Sequence, residues 1–140
     1  MEFTRRGILE LGVYVTSLIG LGALQSSAAA PDAAITEFTS GTETLEGGLT
    51  LTAPEIAENG NTVPIDVSAP GAVAIAVFAD GNPEPRVFQV KFGPLNPTRF
   101  ASTRIRLSKT QNVIAVAQME DGTFHRASTN VKVTIGGCGG

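Results

Sequence analysis

The stretch "AVAIAVFA", residues 72–79, decides how the rest of the chain is read. It is an unbroken apolar run held between Gly71 and the turn-forming "DGNPEP" at residues 80–85. Eight residues are too few for a buried helix, and the run of Val, Ile and Phe favours a strand covered on both faces. A second run of the same kind, "NVIAVAQM" at residues 112–119, ends at "EDG", a hairpin turn signal. Around these two lie stretches that alternate instead. "TVPIDVS" places Val63, Ile65 and Val67 on one face, with Pro64 assigned to an edge or bulge because proline donates no ladder hydrogen bond. "RVFQVKF" separates Phe88, Val90 and Phe92 from Val87, Gln89 and Lys91. "STRIRL" turns Ile105 and Leu107 inward and Arg104 and Arg106 outward, and "STNVKVTI" puts Val131, Val133 and Ile135 on one face. Six or seven short strands separated by turns, with no internal crossover helix, imply an all-β fold: an immunoglobulin-like antiparallel β-sandwich, with an open barrel as the alternative.

Composition narrows the function. Ten Lys and Arg against 13 Asp and Glu give a net charge of −3 without a block of either sign, so neither nucleic acid nor an anionic membrane finds an electrostatic footprint. With a single histidine, His125, the chain cannot supply a histidine-rich metal site or a two-histidine catalytic arrangement. His125 reads as an exposed residue at a strand end. Glu120 and Asp121 are adjacent acids in the "EDG" turn, where carboxylates serve local hydrogen bonding. No catalytic residue and no metal ligand is assigned.

The first thirty residues read as a cleavable export signal. Arg5 and Arg6 in "TRRGIL" form a twin-arginine-type pair, an uncharged apolar run follows from Leu11 to Leu24, and "QSSAAA" supplies the small residues of a cleavage site near Ala28 or Ala29. An uncleaved anchor would leave that small-residue stretch without a purpose. The expected organisation is a signal peptide at 1–30, a short helix and connector at 31–48, the β-sandwich at 49–135 and an arm at 136–140. The expected compartment is the periplasm, with no stable membrane insertion after cleavage.

The chain ends in "VTIGGCGG", residues 133–140, with its one cysteine third from the end. In an oxidising compartment exposed thiols pair, and a lone cysteine has no partner within its own chain. Cys138 therefore pairs with another molecule or carries chemistry. Gly136, Gly137, Gly139 and Gly140 make a flexible arm with an unhindered thiol, and five extended residues span at most roughly 17 Å. A phosphate loop is excluded because no helix follows the glycines, and prenylation needs the cysteine fourth from the end. Nothing adjacent lowers the pKa of the thiol, so an exchanger or peroxidase is the weakest reading and activation falls to a partner. Two readings remain: a carrier arm, or an interaction module cross-linked through an intermolecular disulfide at Cys138.

The terminal "GGCGG" after "NVKVTI" resembles the end of the SoxY family, the sulfur-carrier subunits of the periplasmic thiosulfate-oxidising Sox system. "PEIAENGNTVPI" at 54–65, "DGNPEP", "STRIRL" and the twin-arginine-like leader are similar to it as well. The resemblance implies a carrier and not an enzyme, without a cofactor of its own. Cys138 is the implied attachment point for covalently bound sulfur intermediates, and Gly136, Gly137, Gly139 and Gly140 are the residues that give access to it. The implied partners are a SoxZ-like subunit in a heterodimer, the haem-containing SoxAX, the sulfate-releasing hydrolase SoxB and, where present, the sulfane dehydrogenase SoxCD. Arg104 and Arg106 are available to acids of a partner, although the residues alone favour a solvated surface.

Overall fold

The computed structural model describes residues 31–136. The expected signal peptide with Arg5 and Arg6, and the arm residues Gly137, Cys138, Gly139 and Gly140, lie outside the described residues. Helix α1 (Pro31–Thr39) is followed by nine strands: β1 (Thr44–Glu46), β2 (Thr50–Thr52), β3 (Ile56–Ala57), β4 (Val63–Ser68), β5 (Ala72–Ala79), β6 (Arg86–Lys91), β7 (Phe100–Ile105), β8 (Gln111–Met119) and β9 (Phe124–Val133). Among the described residues no helix is long and apolar enough to cross a membrane.

Two sheets face one another. The larger runs β1-β9-β8-β5-β6, with β3 also beside β9, and the smaller runs β2-β4-β7. The principal core lies between them: Ile75, Val77, Val113, Ala115 and Val131 from the larger sheet meet Val63, Ile65, Val67 and Ile105 from the smaller, with Leu107 from the segment after β7. This is the β-sandwich that the alternating and continuous apolar runs predict.

The coverage of "AVAIAVFA" is now explicit. Ile75, Val77 and Ala79 point into the sandwich, while Ala76 and Phe78 point the other way, into a second cluster with Ile114, Val116, Phe124 and Ile35. Helix α1 covers that cluster. Its Phe38 ring meets Phe78 edge-on at 6.3 Å and Phe124 at 5.9 Å. Burying a side chain such as Phe78 stabilises the fold by about 2–3 kcal/mol. Helix α1 is thus the lid on the outer face of β5 and β8.

The connector read at 39–48 contains a strand as well. β1 pairs parallel with the start of β9, Thr44 opposite Phe124 and Glu46 opposite Arg126, and β3 pairs parallel with its end, Ile56 opposite Lys132. The other pairings are antiparallel. Pro64 behaves as its missing N–H requires. β2 covers β4 only from Asp66 to Ser68, so Pro64 is bordered by β7 alone. The "EDG" hairpin also forms, with Gly122 at a φ of 85° and Met119 N–H donating to the Thr123 carbonyl at 2.8 Å.

Candidate functional site

The arm leaves the domain at the end of β9, and five hydrogen bonds set the place. Lys132 N–H donates to the Glu55 carbonyl at 2.9 Å, and Thr134 donates its N–H to Ala57 at 3.1 Å and its hydroxyl to the Glu58 carbonyl at 3.0 Å. Gly60 N–H then donates to the Ile135 carbonyl at 2.7 Å, while the Gly60 carbonyl accepts from Leu107 N–H at 2.7 Å. The chain is held to residue 135. Ile135 was expected on the same face as Val131 and Val133, yet it is 67% exposed. The reason is local: regular pairing stops at Val133, and the following bends turn the side chain out while keeping the carbonyl paired.

Gly136, the one arm glycine among the described residues, packs against the Ser108 carbonyl with no room for a Cβ. At this position the glycine is needed for close approach of two backbones. Ser108 is itself fixed by Asn82. The Asn82 Oδ1 accepts from Ser108 N–H at 3.0 Å, from the Ser108 hydroxyl at 3.2 Å and from Gln111 Nε2 at 2.9 Å, and its Nδ2 donates to the Arg106 carbonyl at 2.7 Å. Asn82 belongs to "DGNPEP", which sequence reading treated only as a turn. Its amide ties that turn to the end of β7 and the start of β8, beneath the arm.

Beside this root the sandwich has a seam. β6 is the last strand of the larger sheet and β7 the last of the smaller, and between them opens a cleft of about 340 Å³ lined by Asn61, Asn82, Glu84, Arg86, Arg104 and Arg106. Arg104 and Arg106 are exposed, as the alternation of "STRIRL" predicts. Arg86 also contacts Glu37 at 3.3 Å. Neither Arg104 nor Arg106 has a carboxylate partner among the described residues.

The remaining candidates are engaged in structure. His125 is half-buried rather than fully exposed, and its Nδ1 lies 2.7 Å from the Gly47 carbonyl, which assigns the donated proton to Nδ1. It fastens the chain after β1 onto β9. Asp121 accepts from the Thr123 hydroxyl at 2.6 Å and from its N–H at 2.9 Å; these bonds, with a smaller contribution from nearby His125, hold its carboxyl below the ordinary 3.8. Among the described residues no three His, Cys, Asp or Glu side chains are grouped as metal ligands would be.

The family described as sulfur oxidation protein SoxY matches residues 35–138, a range that takes in the domain, the arm root and Cys138. The chain belongs to the SoxY family. Its fold is similar to the solved structure of the sulfur carrier protein SoxY from Chlorobium limicola f thiosulfatophilum, with 38% identity, a TM-score of 0.66 and coverage of 78% of this chain and 100% of that one. Two superoxide reductases share the fold at 20% identity. The neelaredoxin from Ignicoccus hospitalis has a TM-score of 0.54 over 74% of this chain and 93% of its own. The putative enzyme from Thermotoga maritima has a TM-score of 0.52 over 69% and 89%. Comparison with curated proteins gives no match. The likeness to the reductases is one of architecture.

Proposed function

We propose that this SoxY-family chain is a periplasmic sulfur carrier, exported through its twin-arginine-type leader, that holds sulfur intermediates covalently on Cys138. The observation that carries the reading is the extent of the family match. It ends at residue 138, so the lone cysteine falls inside the matched range while no other thiol exists in the chain. The arm root adds support. Hydrogen bonding holds the chain through Ile135, only three residues before the cysteine.

In this reading the chain supplies a nucleophile and a place to hold it, and partners supply catalysis. Coupling the Cys138 thiolate to thiosulfate forms an S–S bond and releases two electrons, which a haem partner of the SoxAX type accepts. Water then attacks the terminal sulfonate sulfur on a SoxB-type hydrolase. Sulfate and two protons leave, and the sulfane sulfur stays on Cys138 as a persulfide, the substrate of a SoxCD-type dehydrogenase where one is present. A SoxZ-like subunit completes the carrier as a heterodimer. The thiol is free of any adjacent base in the sequence, so a partner must also supply the group that lowers its pKa.

The deciding experiment is intact-protein mass spectrometry without reductant, on the mature chain with its partner subunit, after exposure to thiosulfate and the haem enzyme. The expected result is added thiosulfonate or sulfane sulfur mapped to Cys138. An unmodified thiol, or a disulfide to another chain as the sole product, would overturn the carrier reading in favour of a cross-linked interaction module.

A further inference from the structure

We infer that Asn59 is a modification site of this chain, where water converts asparagine to aspartate and isoaspartate, and that the seating of the arm root sets the rate. Neither a load on Cys138 nor a partner is required. The stretch "ENGN" at residues 58–61 points to the site. Deamidation begins when the backbone nitrogen of the next residue attacks the side-chain amide carbon, so the next residue governs the rate. Glycine leaves that nitrogen unhindered. Of the six asparagines in the chain, Asn59 alone precedes a glycine. Asn82 and Asn96 precede prolines, which have no N–H, and Asn61, Asn112 and Asn130 precede Thr62, Val113 and Val131, whose β-branches crowd the approach.

The structure adds access and a guard. Asn59 is exposed in the connection between β3 and β4, whereas Asn112 and Asn130 lie within β8 and β9. Its Oδ1 accepts from Asn61 N–H at 3.0 Å, which polarises the amide carbonyl and folds the side chain toward the backbone that follows. The nucleophile is occupied. Gly60 N–H donates to the Ile135 carbonyl at 2.7 Å, and the Gly60 carbonyl is fixed by Leu107 N–H at 2.7 Å. While the root is seated, the Gly60 nitrogen is held on Ile135 and not on the Asn59 Cγ. The reaction therefore runs through the small population in which the root has lifted, a local opening of the fold. In that state hydroxide removes the Gly60 amide proton and the nitrogen attacks Cγ. A C–N bond forms, and the side-chain nitrogen leaves as ammonia with a proton from water. Water then opens the cyclic imide at either carbonyl, and no electrons are transferred. Both products place a carboxylate beside Glu58, and isoaspartate also lengthens the backbone between residues 59 and 60 by a methylene. Gly60 cannot then keep both its bonds, and Thr134, on the Ala57 carbonyl, becomes the last residue held. Lifting of the root permits the modification, and the product keeps the root lifted.

The test follows the full mature chain in mildly alkaline buffer by peptide mapping, with an isoaspartyl methylation assay to separate the two products. Aspartate and isoaspartate should accumulate at residue 59 ahead of the five other asparagines. Gly136→Ala, which unseats the root from Ser108, should deamidate roughly threefold to tenfold faster than the parent, the gain in open population expected when about one hydrogen bond is lost. Thr134→Val removes the hydroxyl bond to the Glu58 carbonyl and should act in the same direction. The parent in urea gives the unguarded rate, which both variants should approach. Asn59→Ser keeps a side-chain oxygen for the turn and should release no ammonia from this segment. Conversion of another asparagine before Asn59, or an unmodified Asn59 in the folded chain after the sample in urea has fully reacted, overturns the site. Equal rates in the parent and both variants overturn its control by the arm root.

Discussion

Gly136 and Ser108 approach so closely that a Cβ on residue 136 would collide with the Ser108 carbonyl oxygen. Backbone oxygen cannot swing aside as the end of a long side chain can. Gly136→Ala must therefore lift the end of the chain off the domain, and the first casualty is the 2.7 Å bond from Gly60 N–H to the Ile135 carbonyl. The contact lies at an exposed terminus, so global stability should change by less than about 0.5 kcal/mol. Amide exchange at Gly60 should accelerate in this variant. An unchanged Gly60 rate would mean that the arm root does not depend on this contact.

Asn82 is the hub beneath that root. Its side chain makes four hydrogen bonds, to Ser108, Gln111 and the Arg106 carbonyl, and Gln111 is buried. Asn82→Ala removes all four and strips Gln111 Nε2 of one acceptor, leaving it the Lys109 carbonyl. The expected loss is about 2–3 kcal/mol by denaturant unfolding. A loss near zero would show that water replaces the amide without cost.

These two residues also mark where sequence reading stops. The coverage of "AVAIAVFA" on both faces was legible, because an eight-residue apolar run bounded by turn residues admits few other structures. A helix near Ala33–Phe38 was legible too, but its role as the cover of Phe78 and Phe124 was not, since that role depends on tertiary docking. β1 and β3 escaped because strands of three and two residues carry no readable period and exist by pairing with β9. Asn82 was hidden by its setting, as asparagine in "DGNPEP" is sufficiently explained by a turn. Cys138 was conspicuous for a chemical reason: a lone thiol between glycines has no disulfide partner within its own chain.

Asp121 provides a pH test. The Thr123 hydroxyl is the main cause of its lowered carboxyl pKa, followed by the Thr123 N–H. Because the folded value is depressed, the favourable contribution is present above 3.8 and is lost as the pH falls through the lower folded value. Thr123→Val removes the hydroxyl and keeps the N–H, so the Asp121 titration midpoint, followed by carboxyl carbon NMR, should rise toward 3.8 without reaching it. No movement would assign the depression to the backbone bond instead.

His125 holds the chain after β1 through its bond to the Gly47 carbonyl. β1 has only three paired residues, so this one contact is a large share of what keeps it on β9. His125→Ala should cost about 1 kcal/mol and raise amide exchange at Thr44–Glu46 while the centre of β8 stays protected. Uniform exchange changes across both sheets would instead mean that His125 supports the whole fold.

Cys138→Ser should separate function from folding. Every buried side chain of the two described clusters lies between Ile35 and Val131. The melting temperature of the variant should match that of the parent, and covalent sulfur loading should disappear. The oxygen nucleophile cannot form the S–S bond on which the carrier reading depends. A large fall in melting temperature would mean that residue 138 packs against the domain, and sulfur still bound covalently to the variant would place the attachment on some group other than the thiol.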